Sequence, residues 1–144
     1  MDHVVYLDVA AKELDKLLSG KKTMIVRGAT GRKMPYGRVN QGDVLFFINN
    51  NAEGMVKGKA VVKTVFLSEA MSADQSQKLI DDNQTHLQLS ANQTKKWSGK
   101  RYLVLIEVNQ VEELSPFGID KSNFGNMDDW LLVEDIKKVM TGCR

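Results

Sequence analysis

The sequence predicts an α+β domain whose mostly antiparallel sheet curls into a small barrel, with flanking and inserted helices. Segments of β-type pattern follow one another through hairpin turns, without the regular alternation with helices that a parallel sheet requires. Two capping-box sequences in the middle of the chain indicate inserted helices. A sheet of five or six strands in only 144 residues closes readily into a barrel.

The chain has the size and composition of a single domain. Its 144 residues, 42% of them hydrophobic and 26% charged, can form one core of ordinary size. The two prolines, Pro35 and Pro116, are assigned to turns, and no linker divides the sequence. We therefore treat residues 1–144 as one domain.

The first elements are a strand, a helix and a second strand. Residues 3–7 are apolar enough for a strand, and Asp8 has the character of a helix N-cap. The helix ends at Gly20, and residues 23–27 return to a β-type pattern. The apolar face of this helix consists of Ala10, Leu14, Leu17 and Leu18.

A long glycine-rich connection, residues 28–42, then leads to a predicted hairpin. Its strands cover residues 43–48 and 55–66, joined by the loop at 49–54. In the second strand, alternation predicts that one set of small and apolar side chains shares a face. This set is Val56, Ala60, Val62, Thr64 and Phe66.

Two helices and a long strand follow. Ser72 with Gln75, and Ser90 with Gln93, form the capping boxes that predict helices at 73–83 and 91–97. The remaining predicted elements are a central strand at 101–109 with an extension past a bulge at 111–114, a turn at 116–118, an apolar segment at 130–133 and a short terminal helix containing Ile136, Val139 and Met140.

Basic and acidic residues are segregated along the chain although the net charge is only +2. Residues 19–38 contain no acid, and the last third of the chain is mostly acidic. Such segregation can create a positive face on a nearly neutral protein. The basic residues of the two clusters are Lys21, Lys22, Arg27, Arg32, Lys33 and Arg38, and Lys95, Lys96, Lys100 and Arg101.

Several function classes lack their sequence signals. The lone Cys143 permits no intrachain disulfide, and neither His3 nor His86 has metal-ligand neighbours at zinc spacing. P-loop and dinucleotide motifs are missing, so we expect no cofactor. Neither a membrane span nor a secretory signal is visible, and we expect no membrane partner and a cytoplasmic location.

Residues 20–27, Gly-Lys-Lys-Thr-Met-Ile-Val-Arg, resemble the Gly-x-Lys-x-x-Glu-x-Arg signature of the ASCH family, which belongs to the PUA-like superfamily of RNA-associated barrels. Gly20, Lys22 and Arg27 match its spacing. The segments at 42–46, 58–62 and 102–108 resemble later strands of the family, so the resemblance covers roughly residues 7–110 in order. It implies a PUA-like barrel that binds RNA or a nucleotide.

One position departs from the family pattern: Ile25 replaces the motif Glu. Some small relatives hydrolyse acylated cytidine with the motif Lys, a Thr at this same position and a Glu elsewhere. The resemblance thus implies Lys22 as the catalytic residue of an enzyme, with Glu69 as a candidate for the carboxylate by position. Because Ile25 can neither donate nor accept a proton, the sequence favours a binding domain.

The expected ligand site combines these cations with the loop that follows. Strict alternation places Lys22 and Arg27 on opposite faces of a strand, so a bulge or the strand start must bring them together. Tyr36 lies among basic residues in the sequence. This combination is typical of a ring that stacks on single-stranded RNA, and the alternative is that Tyr36 packs within its own turn. Trp97 is interpreted as core. The expected binding residues are Lys22, Arg27, Arg32, Lys33, Tyr36, Arg38 and Lys100.

Asp128 and Asp129 are interpreted as caps of the terminal helix, the alternative being a pair of Mg²⁺ ligands. Three functions remain open. The favoured one is an RNA- or nucleotide-binding domain with a basic cleft. The others are a small hydrolase acting on a modified nucleoside or RNA, and a domain that binds an acidic protein partner.

Overall fold

The computed structural model describes residues 1–124 and 129–141, so Asp128 and Cys143 lie outside the described residues. Within these residues, helices and strands alternate irregularly. The strands are β1 (Asp2–Leu7), β2 (Met24–Ala29), β3 (Val44–Asn49), β4 (Met55–Leu67), β5 (Tyr102–Ile119), β6 (Trp130–Glu134) and β7 (Met140–Thr141). The helices are α1 (Glu13–Leu18), α2 (Ala73–Asp82), α3 (Gln84–Leu87) and α4 (Ala91–Trp97).

All strands belong to one curled sheet in the order β2-β5-β4-β3-β1-β6, and β7 pairs with β5. The pairs are antiparallel except β1 with β3, which is parallel. A parallel pair needs a long crossover, and here the crossover runs through α1, β2 and the loop at 30–43. The predicted α+β class with a mostly antiparallel, barrel-like sheet is confirmed.

The main core lies inside the curl of the sheet. Leu14 and Leu17 of α1 pack there against buried residues of the strands. Along β4 the predicted alternation holds from Val56 to Val62 and then fails, because a register shift against β5 follows Val62. Phe66, predicted to share the buried face, is consequently 50% exposed.

The first helix starts later than predicted. The Asp8 carboxylate accepts a hydrogen bond from the Ala11 backbone (3.1 Å) and so closes the turn before α1 rather than capping it. Lys12, in the left-handed conformation with φ 55°, separates this turn from the helix. The predicted end is confirmed, since the Gly20 amide donates to the Leu17 carbonyl with a positive φ at Gly20.

The two inserted helices match the prediction closely. Both capping boxes form, with Ser72 and Ser90 accepting from the backbones of Gln75 and Gln93. The short α3 between them was not predicted.

The predicted turn at 116–118 is wrong, because β5 runs unbroken through these residues. Pro116 fits there since residues 114–116 fall within a register shift against β4, where a strand needs no amide donor. The predicted terminal helix is instead a 3-10 turn at Ile136–Lys138, and β7 follows it. Among the described residues, no helix combines the length and apolarity needed to cross a bilayer.

Candidate functional site

The hydrogen-bonded strands of the curled sheet end at β2 on one side and at β6 on the other. We call the place where the described residues of these two end strands face each other without pairing the seam, and Arg27 of β2 lies there. Its Nη1 donates to the carbonyl oxygen of the neighbouring Val26 (2.8 Å). Its Nη2 donates across the seam to the carbonyl oxygen of Tyr6 in β1 (2.7 Å). Backbone carbonyls at an open seam need partners when they are buried. Arg27 therefore replaces part of the backbone pairing that would close the barrel.

Aromatic and acidic groups hold the Arg27 guanidinium in place. Its central carbon lies 5.7 Å from the ring centre of Trp97 and 5.8 Å from that of Trp130. Its Nε lies 3.2 Å from Asp129 Oδ2, an ion-pair distance without the alignment of a hydrogen bond. With only 5% of Arg27 exposed, the position of this charge is fixed by its surroundings.

A cleft of about 280 Å³ opens at Arg27. We call it the basic cleft, because four of the described side chains that line it are cations and one, Asp129, is an acid. Its lining residues are Arg27, Gly28, Lys33, Met34, Lys96, Trp97, Lys100 and Asp129. They come from β2, the loop after β2, the C-terminal end of α4 and the start of β6, which converge at the seam.

A smaller recess of about 70 Å³ adjoins the basic cleft and shares Arg27, Lys96, Trp97 and Asp129 with it. We call it the inner recess. Its other lining residues are Tyr6, Asp8, Glu13, Asn50 and Gln93, which offer hydroxyl, carboxylate and amide groups. The two spaces thus form one site with a cationic entrance and a mixed polar interior.

Lys22 lies behind Glu13, with its side chain fully enclosed. Its Nζ donates to the Leu87 carbonyl and lies 3.5 Å from Glu13 Oε2, while Glu13 Oε1 accepts from the Asp8 backbone (2.9 Å). Burial lowers the pKa of Lys22 to about 8, against the opposing effect of Glu13. Glu13 therefore lines the inner recess, and the buried ammonium group of Lys22 stabilises its carboxylate.

Three of the predicted binding residues, Arg27, Lys33 and Lys100, line the basic cleft. Lys22 was predicted to bind the ligand but lines neither space: it precedes β2, its side chain is buried, and it lies beside Glu13, which lines the inner recess. Arg38 is exposed in the turn after Pro35, and its amide donates to the Pro35 carbonyl (2.8 Å).

Tyr36 is anchored to the protein rather than presented as a free platform for a base. Its hydroxyl donates to the Ser68 carbonyl, and its ring packs edge-on against Tyr102 and against the main core. Tyr36 is thus packed, but against distant parts of the chain rather than within its own turn. Arg32 lies against both rings, 5.7 Å from the centre of Tyr36 and 5.6 Å from that of Tyr102.

Several lining residues were missed or misassigned from sequence. Asp129, interpreted as a helix cap, pairs with Arg27. Trp97 is core, only 7% exposed as expected, yet it also lines the cleft. Glu13 is the carboxylate near Lys22, whereas Glu69 is exposed. The signal for Glu13 was present, since an acid beside Leu14 on a short amphipathic helix falls close to its buried face.

A second buried polar network lies next to the site. The Trp130 indole N–H donates to His3 Nδ1 (2.9 Å), and His3 Nε2 lies 2.8 Å from Asp43 Oδ2. Because an indole nitrogen can only donate, Nδ1 carries no proton and Nε2–H donates to Asp43. Burial lowers the pKa of His3, which keeps it neutral in this network.

Known structures similar to this chain include an ASCH protein from Zymomonas mobilis, at 18% identity and a TM-score of 0.65 over 95% of this chain and 92% of that one. A single-substitution variant of the same protein gives 16% identity and a TM-score of 0.68 over 95% and 94% of the two chains. No family model and no curated protein matches the sequence.

Proposed function

We propose that this chain, which has an ASCH (PUA-like) α+β fold, binds RNA or a nucleotide-like ligand in the basic cleft. The observation that carries the proposal is the convergence of Arg27, Lys33, Lys96 and Lys100 on one concavity. The single carboxylate among the described lining residues, Asp129, already pairs with Arg27. The positive charge of Lys96 and Lys100 therefore favours an anionic ligand, and phosphate is an anion that lysines bind well.

The division of the site into entrance and recess suits a nucleotide. Phosphate would lie at the lysines of the entrance, where charge matters more than direction. The heterocycle would face the inner recess, where Asn50, Gln93 and Glu13 supply donors and acceptors in directions fixed by the fold. A volume of about 280 Å³, at the lower end for small-molecule sites, matches one nucleotide unit.

The test is binding of a fluorescein-labelled single-stranded RNA of mixed base composition, measured by anisotropy over a range of salt concentrations. Lys96→Gln/Lys100→Gln removes two cations of the basic cleft. We expect about tenfold weaker binding and a slope of log K against log salt that is smaller by about 1.4, since each phosphate contact to a single strand contributes about 0.7.

Lys59→Gln/Lys63→Gln is the matched control, because it removes the same charge from β4, where these lysines pair with Glu112 and Glu107. Its binding should differ little from that of the unmodified chain. Equal losses in both double variants would mean that net charge alone attracts RNA, and the basic cleft would no longer be supported as the site.

A second candidate function is hydrolysis of a modified nucleoside, and the pairing of Lys22 with Glu13 favours it. A lysine whose pKa is lowered to about 8 beside a carboxylate that faces a ligand recess is an arrangement typical of acid–base chemistry. Because Lys22 is enclosed, Glu13 would contact the substrate and activate water, and Lys22 would act as a positioning residue.

This candidate is tested by incubating the chain with N4-acetylcytidine and measuring the release of acetate. Hydrolysis that Glu13→Gln abolishes, with retained thermal stability, would support the enzyme. If release does not exceed that of the uncatalysed reaction, this hydrolysis is rejected, while binding in the basic cleft remains to be judged by the anisotropy experiment.

A further inference from the structure

Beside the basic cleft, two exposed arginines lie against one tyrosine ring. The guanidinium carbon of Arg32 is 5.6 Å from the ring centre of Tyr102, and that of Arg101 is 5.7 Å from it. We call Arg32, Tyr102 and Arg101 the arginine ridge. Its two cations come from separate parts of the chain, the loop after β2 and the start of β5, so the fold brings them together.

The ridge continues the cation lining of the cleft. Arg32 precedes Lys33 and Arg101 follows Lys100, and both lysines line the basic cleft. The cations of the ridge are therefore direct chain neighbours of two cations of the basic cleft.

The arrangement leaves the ridge without an internal counter-ion. Among the described residues, no carboxylate lies within ion-pair distance of Arg32 or Arg101. Two like charges near one ring repel each other, and the electron-rich face of the tyrosine offsets only part of that repulsion. An anion bound near both guanidinium groups would offset this repulsion.

The ring that supports the ridge is itself fixed. Tyr36 packs edge-on against Tyr102 with ring centres 5.7 Å apart, and the Tyr36 hydroxyl is bound to the Ser68 carbonyl. A guanidinium that lies against a fixed ring loses less entropy on binding than one that moves freely. Phosphate oxygens match the planar guanidinium fork in geometry as well as in charge.

We propose that the arginine ridge binds the backbone phosphates that flank the nucleotide in the basic cleft, so that the ligand is a single-stranded nucleic acid rather than a free nucleotide. This inference rests on the proposed function. Further cations beside a cleft of one-nucleotide size fit a chain of regularly spaced anions. Single strands are favoured because a nucleotide must leave its stack to enter the recess.

The experiment compares two probes on one set of variants: the labelled single-stranded RNA, and the four ribonucleoside monophosphates measured singly by calorimetry. Arg32→Gln/Arg101→Gln removes the ridge cations from exposed positions. We expect about tenfold weaker RNA binding and a salt slope smaller by about 1.4. Monophosphate affinity should change less than twofold, since the cleft is intact. Lys59→Gln/Lys63→Gln again serves as the charge-matched control.

The outcomes separate the ridge from the cleft. RNA binding that survives the ridge substitutions but is lost in Lys96→Gln/Lys100→Gln would overturn the ridge and leave the proposed function in place. The reverse result would overturn the basic cleft as the site, and with it the proposal that the ridge flanks a nucleotide bound there. Polyglutamate that displaces RNA at equal charge concentration would overturn the proposal in favour of an acidic protein partner.

Discussion

Two buried polar clusters contact the same tryptophan and differ in how completely their groups are paired. On one side of Trp130, the neutral His3 accepts from the indole N–H and donates to Asp43, and it is 0% exposed. On the other side, Arg27 donates to two carbonyls, lies 3.2 Å from Asp129 and lines a cleft. The first cluster is closed, while the second retains hydrogen-bonding capacity towards a ligand.

The difference follows from where each cluster lies in the sheet. His3 belongs to β1, between its neighbours β3 and β6, so residues from both sides complete its hydrogen bonds. Arg27 belongs to β2 at the end of the sheet, where no further strand among the described residues covers it. A closed cluster holds strands together, whereas the cluster at the seam pairs Arg27 with Asp129 and two carbonyls and also lines a cleft.

The largest expected effect comes from removing the seam cation. Arg27→Ala leaves two carbonyls and the Asp129 carboxylate without their partner and opens a void between Trp97 and Trp130. The Asp129 carboxylate is 42% exposed and can be hydrated when Arg27 is absent, but a buried carbonyl left without its donor costs about 1–3 kcal/mol. The free energy of unfolding in urea should therefore fall by a few kcal/mol, on the order of that cost for each carbonyl. Ligand binding should be lost as well.

Arg27→Lys is the control that sharpens the comparison. It keeps a charge at the seam but not a fork that can reach both the Val26 and Tyr6 carbonyls, so it should recover part of the stability. If Arg27→Ala unfolds at the same urea concentration as the unmodified chain, Arg27 does not hold the seam, and the contrast between the two clusters fails.

The features that could be predicted from sequence are those that neighbouring residues determine. Local signals were sufficient for the capping boxes of α2 and α4 and for Gly20 at the end of α1, because each depends on a few neighbouring residues. The basic segments likewise identified Arg27, Lys33 and Lys100 as cleft residues.

Partners that are distant in sequence could not be predicted. Asp129 meets Arg27, and Trp130 meets His3, across more than half of the chain, and both contacts depend on β6 lying beside β1. The unbroken course of β5 through Pro116 depends in turn on a register shift that only the pairing with β4 reveals. These are properties of the sheet, and no local pattern encodes them.

The smaller expected effect concerns the closed cluster and is a dependence of stability on pH. Protonated His3 would present two donors to its neighbours, one of which, the Trp130 indole, can only donate. Burial therefore holds the pKa of folded His3 below the unfolded value of 6.5, and the unfolded chain binds the proton more readily. The contribution of neutral His3 to the free energy of unfolding is therefore fully present above about pH 6.5. It is lost as the pH falls towards the lower pKa of folded His3.

His3→Gln provides a variant that breaks or confirms this account. The glutamine amide can accept from the Trp130 indole with its oxygen and donate to Asp43 with its nitrogen, as neutral histidine does, but it does not titrate. Between pH 7.5 and pH 5, the free energy of unfolding of the unmodified chain should fall by at most about 1.4 kcal/mol per pH unit more than that of the variant. If the free energies of unfolding of the two proteins change with pH in parallel, His3 does not determine the pH dependence of stability. The closed cluster would then tolerate a charged His3, much as the cluster at the seam holds the charged Arg27.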